Sequence, residues 1–326
     1  MNCNIRFLAK EANCSPATVS RVLNNFPYVK PEIRSRVIAA AKKYNYSLSR
    51  NCFLVIIPNS ANFLGYLGHI LKHLLEEATR RNYHLTITSE ENLSFSNGTF
   101  LYDGVISIPS TKGLERRWGE NEVLPMICLN SQGKAEDNIL CVSSDNRQGI
   151  FMALDHFKAY GHRNIAYVTI DNRTPENTTD IEERERFYKE WMKKYNPGIK
   201  PEILNISIDN INREHYWNQN LQALLQKGIT ALLIPGESTS VYLYRWLNKM
   251  GLQIPQDVSV IGMEHEVLSS SMTPPETTIM QDWEKLASAA FDTLENMIKK
   301  SEIQHTVIPY KLINRNSVAN LNEEKK

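Results

Sequence analysis

The sequence predicts a small all-α helix-turn-helix head joined to an α/β body built on parallel sheets. Three observations carry that reading: the stretch Ser15 to Asn25 (SPATVSRVLNN), a charge imbalance between the first fifty residues and the rest, and a body in which short apolar runs alternate with helical patterns. The first fifty residues hold nine Lys and Arg against two acids, a balance of +7, so the remainder carries −6 to leave the whole chain at +1. A basic head on an acidic body suits contact with nucleic-acid phosphates. A helical cap on an enzyme is the competing reading, and the charge argues against it.

The head divides into three helices. The first runs from about Ile5 to Asn13, with Leu8, Ala9 and Ala12 as its apolar positions. Asn13-Cys14 makes the turn, since Asn tolerates the left-handed backbone that ends a helix. Ser15 is placed to cap the next helix, and Pro16 sits at the first helical position, where its missing N–H costs nothing. Val19, Val22 and Leu23 form one apolar face. Ala17, Thr18, Ser20, Arg21 and Asn24 show the short or hydrogen-bonding side chains that a groove-facing surface needs. A third helix spans about Pro31 to Tyr44, with Ile33, Val37, Ile38 and Ala41 on one side. Three short helices with short turns fit a compact DNA-binding module.

After residue 50, enough chain remains for two ordinary domains. Strands are expected at Phe53 to Ile57, Leu85 to Thr88, Gly104 to Ile108, Met126 to Leu129 and Ile139 to Val142. Later strands fall at Ile165 to Thr169, Ile203 to Ser207, Ala231 to Ile234 and Val258 to Gly262. Helices are expected at Ile70 to Arg81, Arg147 to Tyr160, Ile181 to Tyr195, Tyr216 to Lys227 and Ser238 to Met250. Short apolar runs separated by helices imply parallel sheets in βαβ units, and ligands of such folds bind beyond the carboxyl ends of the strands.

Catalytic patterns are weak. His69 and His73 stand at i, i+4, but no H-E-x-x-H pattern or nearby cysteine accompanies them, so packed or solvated histidines are the simpler reading. The run Asp180 to Arg186 reads as the exposed start of a helix. There is no glycine-rich phosphate loop and no G-x-S-x-G. Five scattered cysteines suggest neither a disulfide framework nor a zinc site. No stretch is long and apolar enough for a membrane span and no signal-peptide pattern opens the chain, so the expected compartment is the cytoplasm. No cofactor, metal or enzymatic activity is expected.

The residues Ala9-Lys10-Glu11-Ala12-Asn13-Cys14-Ser15-Pro16-Ala17-Thr18-Val19-Ser20-Arg21-Val22-Leu23-Asn24, followed by Val29, Arg34 and Tyr46, resemble the head of the LacI/GalR family of bacterial transcription regulators, A-x-x-A-G-V-S-x-x-T-V-S-R-V-L-N. The body resembles that family more loosely over nearly its whole length. Ser144 to Gly149 resembles a D-N-x-x-G helix start, Gly161 to Ala166 a G-H-x-x-I-A crossover, and Ile254 to Gly262 a V-P-x-D-V-S-V-I-G segment. Pro274 to Ile279 resembles P-P-L-T-T-I, with Glu276 in the leucine position. Cys14 stands where the family keeps a small apolar residue, which implies core packing.

The resemblance implies a head at 1–50 and a two-lobed, periplasmic-binding-protein-like core at 51–326. Lobe 1 would take about 52–161 and 282–308, and lobe 2 about 162–281 and 309–320, with the chain crossing near Gly161, near Thr278 to Asp282 and near Pro309. It further implies a homodimeric repressor of carbohydrate genes on double-stranded operator DNA. Pro16, Ala17 and Arg21 occupy the base-reading positions. Ser15, Thr18, Ser20, Asn24, Tyr28 and Arg34 would hold the DNA backbone. A sugar or sugar-phosphate effector in the cleft between lobes would meet Arg184, Glu264 and Glu237, with Tyr66 and Trp283 able to stack on a sugar face; an ion pair joining the lobes, or core aromatics, are the competing roles. Three departures stand out. The glycine after Arg184 is lost, an Asn-Asp pair becomes Gly236-Glu237, and the connector Ser47 to Cys52 lacks the A-R-x-L hinge whose leucine, here only Leu48, would wedge into the minor groove. The short connector motivates an alternative: a cytosolic sugar-binding sensor with weakened operator recognition.

Overall fold

The structure is a computed structural model that describes residues 4–23, 26, 28–44, 46, 51–58, 63, 65–92, 102–108, 114, 124–130, 138–171, 178–236, 239–263, 266–299, 301 and 304–322. In the head, helices α1 (Ile5–Glu11), α2 (Pro16–Leu23) and α3 (Pro31–Lys43) pack around Leu8, Val19, Val22, Leu23 and Val37. Asn4 caps α1 by accepting from the Phe7 N–H at 2.9 Å. Asn13 adopts a left-handed φ of 49°, as the turn between the first two helices requires. Cys14 packs against the head core, and burial pushes its thiol pKa up.

The body holds two six-stranded sheets. Strands β1 (Cys52–Ile57), β2 (His84–Ser89), β3 (Gly104–Ser107), β4 (Met126–Leu129) and β5 (Ile139–Ser144) belong to the first, with helix α4 (Tyr66–Arg81) between β1 and β2. Helix α5 (Asn146–Ala159) follows. The second sheet takes β6 (Ile165–Asp171), β7 (Glu202–Ser207), β8 (Ala231–Ile234), β9 (Ser259–Gly262) and β10 (Thr277–Met280), with helices α6 (Thr178–Tyr195), α7 (Glu214–Gln226), α8 (Thr239–Lys249) and α9 (Glu266–Ser271) between them. After α10 (Trp283–Lys299), β11 (Thr306–Ile308) joins the first sheet and β12 (Lys311–Ile313) the second. The sheet orders are β11-β5-β4-β3-β1-β2 and β12-β10-β9-β8-β6-β7. Pairing from β2 through β5 is parallel, and β12 runs antiparallel to β10. The central strands β3, β4, β8 and β9 are buried at every residue, which is why β4 and β8 read as unbroken apolar runs and β3 and β9 depart from one only at a terminal serine.

The predicted helix at Ile70 begins a turn earlier, at Tyr66, and five elements beyond Gly262 (α9, β10, α10, β11 and β12) have no counterpart in the sequence reading. The chain forms two compact units: 1–61, 71–142 and 287–306 in one, and 62–70, 143–286 and 307–326 in the other. Helix α5 lies in the second, packed on α6, so that unit takes in the chain from Ser143, ahead of Gly161.

In the first unit Phe53 stacks on Tyr83 at 4.3 Å and meets Phe291 at 5.3 Å. In the second, Trp217 and Trp246 are fully buried, and both indole N–H groups donate to Ile211 O. The G-H motif explains itself there. Gly161 has a φ of 88°, and His162 reaches Ala319 O at 3.1 Å and Thr230 Oγ1 at 2.9 Å. A carbonyl only accepts, so Nε2 carries the proton and Nδ1 accepts from the threonine. Ser317 and Ala319 bind Val260 and Ser259 in turn, tying the last described segment to β9.

Glu276 is the exception in this core. Its carboxyl is fully buried, and a Cβ on Gly262 would collide with it, so the glycine makes its room. Burial pushes its pKa up to about 8, against the Ser240 hydroxyl and the Arg315 charge, both of which favour ionisation. The native protein therefore holds a proton that the unfolded chain, near the ordinary value of 4.5, has released. Stability falls as pH rises from about 4.5 to about 8, by at most about 1.4 kcal/mol per unit, and is flat beyond. Glu276→Gln removes this dependence: in denaturant titrations at pH 5, 6.5, 8 and 9.5, its advantage over the wild type grows across the first two intervals and then levels.

Candidate nucleic-acid interface and ligand-binding residues

The second helix of the head is organised by its first turn. Ser15 Oγ accepts from the Thr18 N–H at 3.1 Å and lies 2.8 Å from Thr18 Oγ1. This is the side-chain cap that the sequence implies. The mutual bond spends one of the two hydroxyl protons and leaves the other for an outside acceptor. Val19, Val22 and Leu23 turn into the head core, while Pro16, Ala17 and Arg21 are exposed. Ala17 and Arg21 are four apart and so share one face. Thr18 and Ser20 are half-buried, and Tyr28 is 96% exposed. Arg34 is half-buried and donates from Nη2 to Phe26 O at 2.5 Å, so part of its guanidinium is committed within the head. Asn24 and residues 47–50 of the connector, Leu48 among them, lie outside the described residues.

In the second unit, Arg184 is the centre of a polar cluster. Its Nε donates to Asn146 Oδ1 at 3.0 Å, Nη1 to Pro235 O at 3.1 Å and Nη2 to the Tyr310 hydroxyl at 3.4 Å. Asp180 completes an ion pair at 3.8 Å. Asn146 in turn donates to Asp180 and Glu183, and accepts from the Tyr310 hydroxyl at 3.0 Å. Pro235 follows the last residue of β8, so the guanidinium lies at the carboxyl end of that strand, where ligands of open α/β sheets bind. Burial opposes the Arg184 charge, but Tyr310 and Asp180 outweigh it and hold the pKa above its ordinary value. Burial raises the Asp180 pKa against the opposing pull of Arg184 and Asn146.

The cluster corrects one expectation. The run Asp180 to Arg186 is not the exposed start of a helix. The helix begins at Thr178, and Asp180, Glu183 and Arg184 turn inward, with Arg186 left at 66% exposed. The i, i+3, i+4 spacing of those three residues carried the signal; reading them as charges in sequence order hid the face they share. Asn146 and Tyr310 were missed as members because both are remote in sequence from Arg184, although Asn146 opens a motif that the sequence displays.

Tyr66 and Trp283 pack edge to face at 5.5 Å, and His69 stacks on the same indole at 5.8 Å. The Trp283 indole N–H is buried without a hydrogen-bond partner among the described residues. His73 pairs with Glu76 at 3.0 Å, so His69 and His73 take separate partners. Glu237 and Glu264 lie outside the described residues. Among the described residues, no group of three His, Cys, Asp or Glu side chains is arranged to hold a metal, and no helix is long and apolar enough to cross a membrane.

Comparison with known proteins matches residues 4–49 to the bacterial regulatory proteins of the lacI family and residues 154–318 to the periplasmic binding protein-like domain. The chain is 26% identical to the ribose operon repressor of Halalkalibacterium halodurans, over 95% of this chain and 96% of that protein. A LacI family transcriptional regulator from Enterococcus faecium, solved with bound ribose, shares the fold at a TM-score of 0.67 and 23% identity, over 83% of this chain and 99% of that one. The lac repressor dimer bound to operator and an anti-inducer aligns at a TM-score of 0.64 and 20% identity, over 98% of this chain and 100% of that one.

Two substitutions test the geometry. Ser15→Ala costs α2 about 1 kcal/mol, read as roughly fivefold faster hydrogen exchange at its amides, and Ser15→Gly costs much less. Arg184→Met leaves the Pro235 carbonyl without its Arg184 donor and the Asp180 carboxyl without its cation, and lowers stability by about 2 kcal/mol in urea unfolding followed by tryptophan fluorescence.

Proposed function

The chain belongs to the lacI family of bacterial regulatory proteins, and from that premise we propose that it is a homodimeric, sequence-specific DNA-binding repressor of carbohydrate genes. The observation that carries the reading is α2: a capped helix with its apolar face in the head core and Pro16, Ala17 and Arg21 exposed, on a head of charge +7. Each head places α2 in a major groove. Arg21 takes a guanine edge, and Pro16 and Ala17 make apolar contact with bases such as a thymine methyl. Ser15, Thr18, Ser20, Asn24 and Tyr28 hold phosphates and set register, with Arg34 bracing the loop behind the helix. A dimer is expected because a single head buries too little surface for tight specific binding.

A small sugar-type effector binds at the carboxyl end of the second sheet. Arg184 supplies the fixed donors, and Glu237 and Glu264 follow the strands β8 and β9. Tyr66 and Trp283 offer aromatic faces, and the buried indole N–H of Trp283 is a donor that a ligand oxygen would satisfy. The ribose in the Enterococcus faecium regulator supports a sugar as the class of ligand.

Gel shifts on the DNA upstream of the protein's own gene, with bulk DNA as competitor, test the central reading. Retention of one fragment against excess competitor is expected; equal loss to both would favour a sensor without operator recognition. Arg21→Ala costs roughly 1–3 kcal/mol on the preferred site and relaxes specificity at one base pair, as measured across single-base variants. Thermal-shift screening against neutral sugars and sugar phosphates identifies the effector, since a specific ligand stabilises by mass action.

A further inference from the structure

None of the DNA-contact roles above uses Phe26, yet its placement is unusual for a phenyl ring. Among the described residues of the head, the exposed large hydrophobic side chains are Phe26, at 53%, and Tyr28. The backbone of Phe26 is held on both sides. Its N–H donates to Arg21 O at 2.9 Å, closing the end of α2 with a six-to-one bond. Its carbonyl accepts from Arg34 Nη2, on α3. Three residues on, Val29 is packed against the head core. The loop is thus anchored before and after the ring, and the phenyl cannot slide inward to bury itself.

A helix that ends in this way often lays an apolar side chain on its last turn, which accounts for the covered part of the ring. It does not account for the exposed part, which gains nothing from folding. The charge of the head selects what could cover it: a surface of +7 attracts a polyanion and disfavours an apolar protein partner. The anchor itself is Arg21, the residue assigned to a base edge, so the ring is tied to the reading end of α2.

We propose that Phe26 is an apolar DNA-contact residue, its ring packing on the duplex beside the bases that Arg21 meets, against a thymine methyl or deoxyribose carbons. The proposal rests on α2 being the recognition helix. Arg34 becomes a positioning residue, acting through the Phe26 carbonyl.

The test is operator binding by the full chain, followed by fluorescence anisotropy over a salt series. Phe26→Ala is expected to weaken binding about tenfold, the effect of burying roughly half a phenyl. The slope of log affinity against log salt stays unchanged because no charge is lost. Phe26→Leu recovers most of the affinity. In a cycle of Arg34→Gln with Phe26→Ala the losses overlap rather than add. Uracil in place of thymine separates the two sources. A methyl contact makes the wild type lose the same tenfold while Phe26→Ala is indifferent; a deoxyribose contact leaves both proteins unaffected by the exchange. Wild-type affinity in Phe26→Ala overturns the proposal, and so does a loss that Phe26→Leu shares in full or that merely follows a lowered melting of the head by circular dichroism. If the underlying assignment of α2 is wrong, Arg21→Ala instead leaves the preference for operator over bulk DNA intact.

Discussion

A parallel strand cannot return by a hairpin, and most of this body follows from that constraint. Each strand with a parallel neighbour needs a crossover to reach it, and where that crossover is a helix it covers a face of the sheet. Covered strands become apolar, throughout in β4 and β8 and but for one terminal serine each in β3 and β9. Polar side chains are pushed to the strand ends, and the carboxyl ends all fall on one side of a parallel sheet. The Arg184 cluster shows the outcome. It is assembled from the residue after β8, the first residue of α5, two turns of α6 and Tyr310 between β11 and β12, segments that meet only because the sheet ordered them.

Buried charge makes that cluster a fixed object rather than a mobile surface. A guanidinium taken out of water must find acceptors, and Arg184 finds Asn146, Pro235, Tyr310 and Asp180 in four directions. Asn146 then works in both senses, accepting from Arg184 and donating to Asp180 and Glu183, so Asp180 is held by the amide as well as by the cation. Glu276 is the opposite case. It has no comparable set of partners and keeps its proton instead, in room left by Gly262. The two sites answer the same desolvation penalty by different means, one by pairing and one by neutralisation.

Among the strands, legibility tracked how apolar each one is. The wholly apolar runs were plain: Met126–Leu129 and Ala231–Ile234 match their expected limits residue for residue. The three-residue strands β11 and β12 carry no period of their own and exist only through pairing. In β10 two of four residues are buried threonines, which read as surface until the sheet encloses them. Helix α10 is different, since Leu286, Ala287, Ala290, Phe291 and Leu294 have helical spacing and the pattern was there to be read. At the candidate sites, the cap by Ser15 and the outward face of α2 were legible because both are local. Arg184 was legible as a position but not as a network, because its partners lie up to 126 residues away. Glu237 and Glu264 fall outside the described residues and stay as the sequence presents them.

The head inverts the logic of the body. Its core is small, so little stability is available from packing, and the ends of its helices are secured by polar groups: Asn4 on α1, Ser15 on α2, and the Tyr44 hydroxyl reaching Glu11 at 2.6 Å to join the ends of α1 and α3. These fastenings use side chains at the helix termini and leave the outward face of α2 to residues with no part in the core. The residues that stabilise the head and those exposed on α2 are therefore different over most of it. The two sets meet at Ser15 and Thr18, where the Ser15 hydroxyl caps the helix and also bonds the Thr18 hydroxyl. At that turn the cap that starts the helix holds both hydroxyls together and leaves one of their two protons for an acceptor outside the helix, so a group that stabilises the fold is also one left partly unspent.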